Sequence, residues 1–371
     1  MKVEWKKLGD VCKVHTGSQL NRTDMLEVGA YPVVNGGREY SGFTDKHNET
    51  ANTITISQGG ESAGYVNWID VDFWAGAHCY IIENQDNCDK RFLYHALKDK
   101  ERELQTSKQG AGIPGLNRAT LYKQIIPLPT LAEQARIVGI LDTFSASIEN
   151  LKEQIAQRRK QYEHYRDKLL DLDGKEGVDM KTLLDVLEQP ITDGPHETPI
   201  FYDEGIPFIS ADAIVKSKID FNRKRGYISI EYDNLCRKKY SPQLNDIYLV
   251  KSGSTTGKVA IVNTNERFNI WSPLAAIRVN KDNNPYYFYY LLQTKQIQDQ
   301  VKLKSSQGSQ PNLSMRVLEK FIIPLPSLQE QSRIVSILDT FEASIANLEA
   351  QLKERQKQYE YYRNKLLTFE E

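Results

Sequence analysis

The sequence predicts an α+β fold in which two strand-rich mixed α/β domains are joined by two long antiparallel coiled-coil helices with pseudo-twofold symmetry. Three observations predict it. Segment 125–172 recurs at 322–369, with 32 identical residues in 48 aligned positions at a constant offset of 197. Each copy has a long helical periodicity, and a segment of different, strand-rich sequence precedes each copy. A repeat at one fixed offset indicates two units in tandem.

The composition is that of an ordinary globular protein, with 371 residues, 40% hydrophobic and 26% charged residues and a net charge of −1. There is no apolar run long enough to span a membrane, and the first residues lack the apolar core of a signal peptide, so we expect a cytoplasmic protein. The four cysteines form no CxxC pair, so reduced thiols are expected. The net charge alone gives no support for nucleic-acid binding, which would need local basic patches or a partner subunit.

The first variable segment, 1–124, contains short β-branched and aromatic runs separated by Gly-Gly pairs at 34–43 and 56–66, which is typical of hairpins. Segments 50–57 and 73–82 are predicted strands, and 91–105 is a predicted helix. A Gly- and Gln-rich loop follows at 107–117.

The first repeated segment, 125–178, predicts a long helix with apolar residues in alternating steps of four and three, the pattern of a coiled coil. The apolar seam of this first helix consists of Ile137, Leu141, Phe144, Ile148, Leu151, Ile155 and Tyr162. The matching seam of the second copy consists of Ile334, Leu338, Phe341, Ile345, Leu348, Leu352 and Tyr359. Arg158 and Arg355 interrupt the seams at equivalent places. Each could be a polar register device, a docking point, or an arginine whose stem packs while its head reaches solvent.

The second variable segment, 179–321, has the same order of predicted elements. Strands are predicted at 206–214, 245–262 and 274–279, a helix at 285–302 and a Ser- and Gln-rich loop at 305–314. The second repeated segment, 322–371, predicts the second long helix. About 39 helical residues at about 1.5 Å each give a rod of about 58 Å. Because neither helix can bury its stripe alone, the two most simply pack on each other.

Motifs of catalysis are missing. Gly253–Lys258 resembles a phosphate loop but has three residues between its glycines instead of four, and Val259 stands where a hydroxyl is needed, so a hairpin turn is the better interpretation. The histidines have no metal-ligand spacing, and no glycine-rich cofactor loop or nuclease carboxylate cluster is found. The sequence therefore predicts no catalytic and no metal-binding residue.

The motif Ile-Pro-Leu-Pro-x-Leu-x-Glu-Gln-x-x-Ile-Val-x-x-Leu-Asp occurs at 126–142 and 323–339. It resembles the conserved regions of type I restriction–modification specificity (S) subunits, over the whole chain. Pro207-Phe208-Ile209 and the Gly253–Lys258 turn are also similar to that family. The resemblance implies two target recognition domains, 1–124 and 179–321, and two conserved spacer helices. The first domain has NGGREYSG and SQGGESAGY where the second has ISADAI and SGSTTGK, which suggests two unrelated half-site sequences.

The resemblance also implies a function without chemistry of its own. Each recognition domain would take one half of a bipartite site in double-stranded DNA, and the helices would fix the gap. Two methyltransferase subunits, which bind S-adenosylmethionine, would dock to form an adenine-N6-methylating complex. Two restriction subunits, where present, would add cleavage that uses ATP and magnesium. No cofactor is expected in this chain.

Candidate DNA contacts are side chains on exposed loops that can reach base edges, and basic groups that can reach phosphates. In the first domain they are Asn35, Gly36, Gly37, Arg38, Ser57, Gln58, Gly59, Glu61, Ser62, Tyr65, Lys108 and Gln109. In the second they are Arg223, Lys224, Arg225, Lys251, Ser252, Ser254, Thr255, Thr256, Lys258, Ser306, Gln307 and Ser309. For any one of them a solvated turn residue is the simpler interpretation, and Gly59-Gly60 suits a tight turn.

Three other functions stay open at this point. The chain could be a protein-only coiled-coil scaffold, and the near-neutral net charge favours that interpretation. It could be a subunit of a related type II-like methyltransferase or nuclease complex, or an enzyme with a hidden site.

Overall fold

The computed structural model describes residues 3–107, 115–306 and 310–369. The chain forms two compact units, one of Met1–Glu153 with Glu349–Glu371 and one of Gln154–Leu348. Each unit therefore contains one variable segment and a part of both repeated segments. This division follows from the repeat, because each apolar stripe needs residues from the other copy to cover it.

In the residues of the first unit that the structure describes, nine strands and three short α-helices precede the long helix. The strands are β1 (Glu4–Lys7), β2 (Cys12–Thr16), β3 (Tyr31–Val34), β4 (Gly42–Thr44), β5 (Thr53–Ser57), β6 (Val66–Ile69), β7 (Trp74–Ala75), β8 (Cys79–Asn84) and β9 (Ile125–Leu128). The helices are α1 (Lys90–Asp99), α2 (Glu101–Thr106), α3 (Arg118–Tyr122) and the long α4 (Leu131–Leu170).

The second unit repeats this order with additions. Its strands are β10 (Asp179–Thr182), β11 (Thr192–Asp193), β12 (Ile206–Ile209), β13 (Ile214–Val215), β14 (Lys218–Ile219), β15 (Gly226–Ile228), β16 (Ile247–Val250), β17 (Val259–Ile261), β18 (Asn269–Ile270), β19 (Leu274–Ile277) and β20 (Ile322–Leu325). Its helices are α5 (Ile230–Arg237), α6 (Pro285–Leu291), α7 (Lys295–Lys304), α8 (Met315–Leu318) and the long α9 (Leu328–Leu367).

The two domains share one sheet topology in spite of their different sequences. A four-stranded antiparallel sheet has the order β2-β8-β5-β6 in the first and β11-β19-β16-β17 in the second. A three-stranded sheet has the order β4-β3-β7 or β15-β12-β18, with its last pair parallel. In each unit the first strand pairs with the strand that opens the repeated segment, β1 with β9 and β10 with β20. The β13–β14 hairpin and α5 account for most of the extra length of the second domain.

The long helices run antiparallel and complete the domain cores. In the first unit Ile137 and Leu141 of α4 share a hydrophobic core with Leu366 and Leu367 of α9. In the second unit Leu169 and Leu170 of α4 pack in one core with Ile334 and Leu338 of α9. Every predicted seam residue is buried or half-buried.

One aromatic stack is built twice along the helix pair. Phe144 stacks on Tyr362 in the first unit, with 5.2 Å between ring centroids, and Tyr165 stacks on Phe341 in the second, with 5.4 Å. The pairs are related by the 197-residue offset with the roles of the helices exchanged, as the predicted pseudo-twofold repeat requires.

The seam arginines belong to the same stacks. The guanidinium of Arg355 lies 5.7 Å from the ring centroid of Phe144, and that of Arg158 lies 5.9 Å from that of Phe341. A cation over an aromatic face is attracted by the ring quadrupole. The arginines are half-buried, so their stems pack while their heads lie against the partner helix.

A buried glutamine fixes the start of each long helix. Gln134 donates through Nε2 to the carbonyl oxygens of Pro129 (2.9 Å) and Asn87 (3.3 Å), and its Oε1 accepts from the backbone N–H of Asp89 (2.7 Å). Asp89 is itself the N-cap of α1. The glutamine therefore joins the N-terminus of the domain helix to that of the long helix.

Gln331 likewise joins a proline carbonyl to the N-cap residue of the domain helix in the second unit. Its Nε2 donates to the carbonyl oxygen of Pro326 (3.0 Å) and to Oδ1 of Asn283 (2.9 Å), and its Oε1 accepts from the N–H of Asn284 (2.9 Å), the N-cap of α6. The Glu-Gln pair of the repeated motif is thus explained by a half-buried first-turn carboxylate followed by a buried amide.

The aspartate that closes the motif has different partners in the two units. Asp142 accepts from Nε2 of His95 and Nε of Arg91, both at 2.8 Å, and Nδ1 of His95 lies 3.2 Å from the hydroxyl of Tyr359. Because a carboxylate only accepts, the proton of neutral His95 belongs on Nε2 and the tyrosine donates to Nδ1. In the second unit Asp339 instead accepts from the hydroxyl of Tyr290 at 2.6 Å.

Burial lowers the pKa of His95 from its ordinary 6.5, and the hydrogen bond with Asp142 opposes that shift. Burial alone would raise the pKa of Asp142, but the hydrogen bonds from His95 and Arg91 lower it. The network therefore holds a neutral imidazole beside an ionised carboxylate.

Several predicted elements have different bounds in the structure. The predicted helix 91–105 is two helices, because Lys100 leaves the helical conformation between α1 and α2. The predicted helix 285–302 is likewise broken between α6 and α7, where Thr294 caps the second helix with its side chain. The predicted strands 73–82, 206–214 and 245–262 each divide in two around a turn or a loop. The hairpins predicted at 34–43 and 56–66 are confirmed.

Replacement of the buried glutamine should destabilise the second unit. In Gln331→Ala the N–H of Asn284 and the carbonyl of Pro326 lose their partners, and each unsatisfied buried polar group costs about 1–3 kcal/mol. We expect a lower free energy of unfolding and a lower Tm in denaturant and thermal unfolding. Gln329→Ala, an exposed neighbour, is the matched control. Equal Tm values for the two variants would contradict this account of the motif.

His95 should make stability depend on pH below neutrality. The folded protein favours the neutral ring, whereas the unfolded chain binds protons near pH 6.5, so stability is retained above that pH and lost as pH falls through the lower folded pKa. In His95→Gln, which keeps a donor for Asp142, we expect a smaller fall of Tm between pH 7.5 and 5.5 than in the unchanged protein. His47→Gln, at an exposed histidine of the same unit, should leave that fall unaltered.

Candidate nucleic-acid interface

The two domains present loops of the same construction between equivalent strands. The first loop, 58–65, joins β5 to β6, and the second loop, 251–258, joins β16 to β17. Matching backbone hydrogen bonds close them, from Ser57 N to Tyr65 O (3.0 Å) and from Val250 N to Lys258 O (2.8 Å).

Glycines at equivalent places shape both loops. Gly60 and Gly64 have φ of +75° and +87°, and Gly253 and Gly257 have φ of +97° and +98°. Such a backbone conformation favours glycine. The Gly-x-x-x-Gly pattern is therefore common to both domains. The sequence predicted that SQGGESAGY and SGSTTGK differ. Their backbones are alike at the glycines, and the side chains between the glycines do differ. The second loop is a hairpin connection followed by a strand, as predicted, and not a phosphate loop that opens a helix.

A second segment lies beside each loop. Leu116 donates its N–H to the carbonyl of Gln58, and Leu313 donates to that of Lys251, both at 2.7 Å. Isolated bridges join Gly59 to Gly115 and Ser252 to Asn312. Residues 115–116 and 312–313 thus lie beside the first and the second loop at equivalent places. The candidates Lys108, Gln109, Gln307 and Ser309 lie outside the described residues, whereas Ser306 is described and exposed.

The candidates of the first domain fall in two groups. Gln58, Gly59, Glu61, Ser62 and Tyr65 lie on the first loop, and Asn35, Gly36, Gly37 and Arg38 follow β3. The guanidinium of Arg38 lies 5.5 Å from the ring centroid of Tyr65, so the structure brings the two groups together. The expected exposure of Ser57 is wrong, because Ser57 lies within β5 and is 4% exposed.

Lys98 is a basic residue near this loop that sequence reasoning missed. Its Nζ lies 4.3 Å from the ring centroid of Tyr65 and donates to Glu101 at 2.6 Å. It projects from α1, so no local pattern in the sequence connects it with the loop. Burial, followed by the nearby carboxylate of Glu101, raises the pKa of Tyr65, which keeps its hydroxyl protonated.

On the second loop Ser252, Ser254, Thr255 and Lys258 are half-buried or exposed. Thr256 uses its hydroxyl within the protein, donating to the carbonyl oxygen of Gly253 at 2.7 Å. Lys251 is 9% exposed, so the expectation of a free side chain is wrong there, and its ammonium lies 3.3 Å from Oδ2 of Asp193.

The basic tripeptide Arg223-Lys224-Arg225 lies between β14 and β15, outside the second loop. The guanidinium of Arg225 lies 5.5 Å from the ring centroid of Trp271 and 3.4 Å from Asp212. Lys224 lies over Tyr227, with its Nζ 4.7 Å from the ring centroid. Arg223 is exposed beside Asp220.

The described part of the chain contains no group of three or more His, Cys, Asp or Glu side chains that could hold a metal ion. Its helices include none that is both long and apolar enough to cross a membrane. The cysteines are free, and burial raises the pKa of Cys12, Cys79 and Cys88 to about 12.

The chain thus consists of two domains of the same topology with divergent loops, and each domain packs on parts of both repeated helices. The family model described as type I restriction modification DNA specificity domain matches residues 2–158 and 176–357. The chain belongs to this family of DNA-specificity subunits, and DNA binding follows from that membership.

Curated relatives agree over nearly their full length. A putative type I restriction enzyme specificity subunit of Haemophilus influenzae is 29% identical, with 99% of this chain and 96% of the relative covered. The EcoR124I/EcoR124II specificity subunit of Escherichia coli is 28% identical, with 100% and 95% covered.

Solved structures agree in fold. The S subunit from M. genitalium has a TM-score of 0.64 at 21% identity, with 100% of this chain and 97% of that chain covered. A chain from a structure of a type I R-M system has a TM-score of 0.58 at 18% identity, with 98% and 97% covered.

Proposed function

We propose that this chain recognises a bipartite sequence in double-stranded DNA, one half-site per domain. The observation that carries the proposal is the pair of equivalent loops, 58–65 and 251–258, which share a backbone and differ in their side chains. Because the two loops share a backbone conformation, they present their side chains at equivalent positions. Different side chains at those positions select different base edges. The long helices serve as the spacer that fixes the gap between half-sites.

The chain does no chemistry in this proposal. Two methyltransferase subunits carry S-adenosylmethionine and methylate adenine N6, and restriction subunits, where present, use ATP and magnesium for cleavage. The repeated aromatic stack supports two copies of one partner, because Phe144, Arg355 and Tyr362 recur as Phe341, Arg158 and Tyr165. Tyr362 and Tyr165 are 40% and 44% exposed, and an open cavity of about 570 Å³ lies beside Arg158 and Tyr165.

Sequencing of methylated adenines in the source genome, with and without this gene, tests the proposed function. Loss of methylation at one bipartite motif on deletion supports it. Unaltered methylation, together with equal affinity of the purified complex for scrambled DNA, would favour the protein-only scaffold. Metal-dependent DNA cleavage by the purified chain alone would instead establish an enzyme.

Exchange of one domain should change one half-site only. Replacing 1–124 with the corresponding segment of another family member leaves the second domain and both helices in place. We expect the methylated motif to change in one half and to keep its other half and its spacing. Methylation mapping of cells that carry the chimera provides the measurement, and a change in both halves would contradict modular recognition.

Each seam arginine should affect the docking of only one of the two methyltransferase subunits. In Arg355→Ala or Arg158→Ala one of the two stacks loses the guanidinium that lies on its phenylalanine ring, so one of two equivalent surfaces offered to a partner is altered. We expect native mass spectrometry with limiting methyltransferase to show more one-to-one complex for each single variant and weak assembly for the double variant. Lys353→Ala, at an exposed position of α9, is the control and should assemble normally.

A further inference from the structure

A buried carboxylate holds the base of the second recognition loop. Asp193, at the end of β11, is 1% exposed. Its Oδ2 lies 3.3 Å from Nζ of Lys251 and 3.2 Å from Nε2 of His196, and its Oδ1 accepts from Nζ of Lys239. Two ammonium groups and an imidazole thus converge on one carboxylate. A buried ammonium such as that of Lys251 needs such a partner, since an unpaired buried charge is costly.

The backbone around Asp193 is fixed by a close approach. A Cβ on Gly194 would lie 1.9 Å from the carbonyl oxygen of Ile270, and the carbonyl of Pro195 accepts from the N–H of Ser272 at 3.2 Å. The first domain has the same crossing, where a Cβ on Gly17 would lie 2.1 Å from the carbonyl oxygen of Ala75. Asp193 therefore stands where the first domain has Thr16.

Lys251 likewise has an uncharged counterpart. The N–H and carbonyl of Lys251 bond to Pro273 and Leu313, as those of Gln58 bond to His78 and Leu116. The first domain builds the same crossing and the same loop with Thr16 and Gln58, so the fold does not require the charges. The charged pair of Asp193 and Lys251 is therefore specific to the second domain and is not needed to build the loop.

We propose that Asp193 is a positioning residue for recognition of the second half-site, holding Lys251 under the loop and Lys239 beside it as a contact for a DNA phosphate. The proposal rests on the proposed function. Lys239 and His196 keep 52% and 72% of their side chains exposed, so the Lys239 ammonium and the His196 ring remain accessible while Asp193 orders them. An ammonium held at one point suits a phosphate oxygen.

The test uses the complete complex of this chain with its methyltransferase, and three duplexes: the mapped target, the target with its first half scrambled, and the target with its second half scrambled. Affinity is measured at several salt concentrations. Lys239→Gln is expected to weaken binding to all three duplexes about equally and to lower the slope of log affinity against log salt by about 0.9, the value for one phosphate contact. Lys238→Gln, an exposed neighbour on the same segment, is expected to change neither.

Asp193→Thr with Lys251→Gln recreates the residues of the first domain and removes the risk of an unpaired buried lysine. We expect this double variant to keep its Tm and its preference for the correct first half. We expect it to lose about tenfold or more of its preference for the correct second half. Unchanged preference at the second half, or equal effects of Lys239→Gln and Lys238→Gln, would overturn the proposal while leaving the proposed function intact. An unaltered complex that prefers neither half would overturn both.

Discussion

The structure depends on the mutual burial of two apolar stripes that neither long helix can cover alone. Ile137 and Leu141 are fully buried only because the domain core and the end of the other helix cover them, and Ile334 and Leu338 are buried in the same way. Each compact unit consequently needs residues from both repeated segments. Since burial of a large aliphatic side chain contributes about 1.5–3 kcal/mol, a seam of this length strongly favours the antiparallel pair over separate helices.

Polar contacts then give the apolar seam a defined register. Gln134 and Gln331 are buried amides that bond to an N-cap residue and to a proline carbonyl, so a slip of the helix would leave several polar groups without partners. The aspartate eight residues further along the helix has a less strict requirement. It accepts from His95 in one unit and from Tyr290 in the other, so any donor of the right length on the domain helix satisfies it.

The sequence predicted the helices well because their periodicity repeats over many turns and appears twice. It predicted the existence of the short strands and hairpins, but their bounds less well, because breaks such as that between α6 and α7 arise from one capping side chain. The equivalence of the two loops could not be found by aligning their sequences, because the loops share only two glycines and a set of backbone hydrogen bonds. The cluster at Asp193 was missed for a similar reason. Its members come from separate stretches of the chain, and only the tertiary fold brings them together.

The contrast between repeated helices and divergent loops has a geometric cause. One residue inserted into an α-helix rotates everything after it by about 100° and advances it by about 1.5 Å, which would move every later seam residue off the stripe. A helical spacer can therefore tolerate few changes in its buried face. A loop closed by backbone hydrogen bonds and positive-φ glycines has no such restriction on the side chains between them. Ser62 and Thr255 are half-buried and Ser254 is exposed, so these side chains can change while the backbone is kept, whereas Ala63 is buried and Thr256 bonds to Gly253. Sequence specificity in the proposed function can consequently change through the loops, with the spacing of the half-sites held constant by the helices.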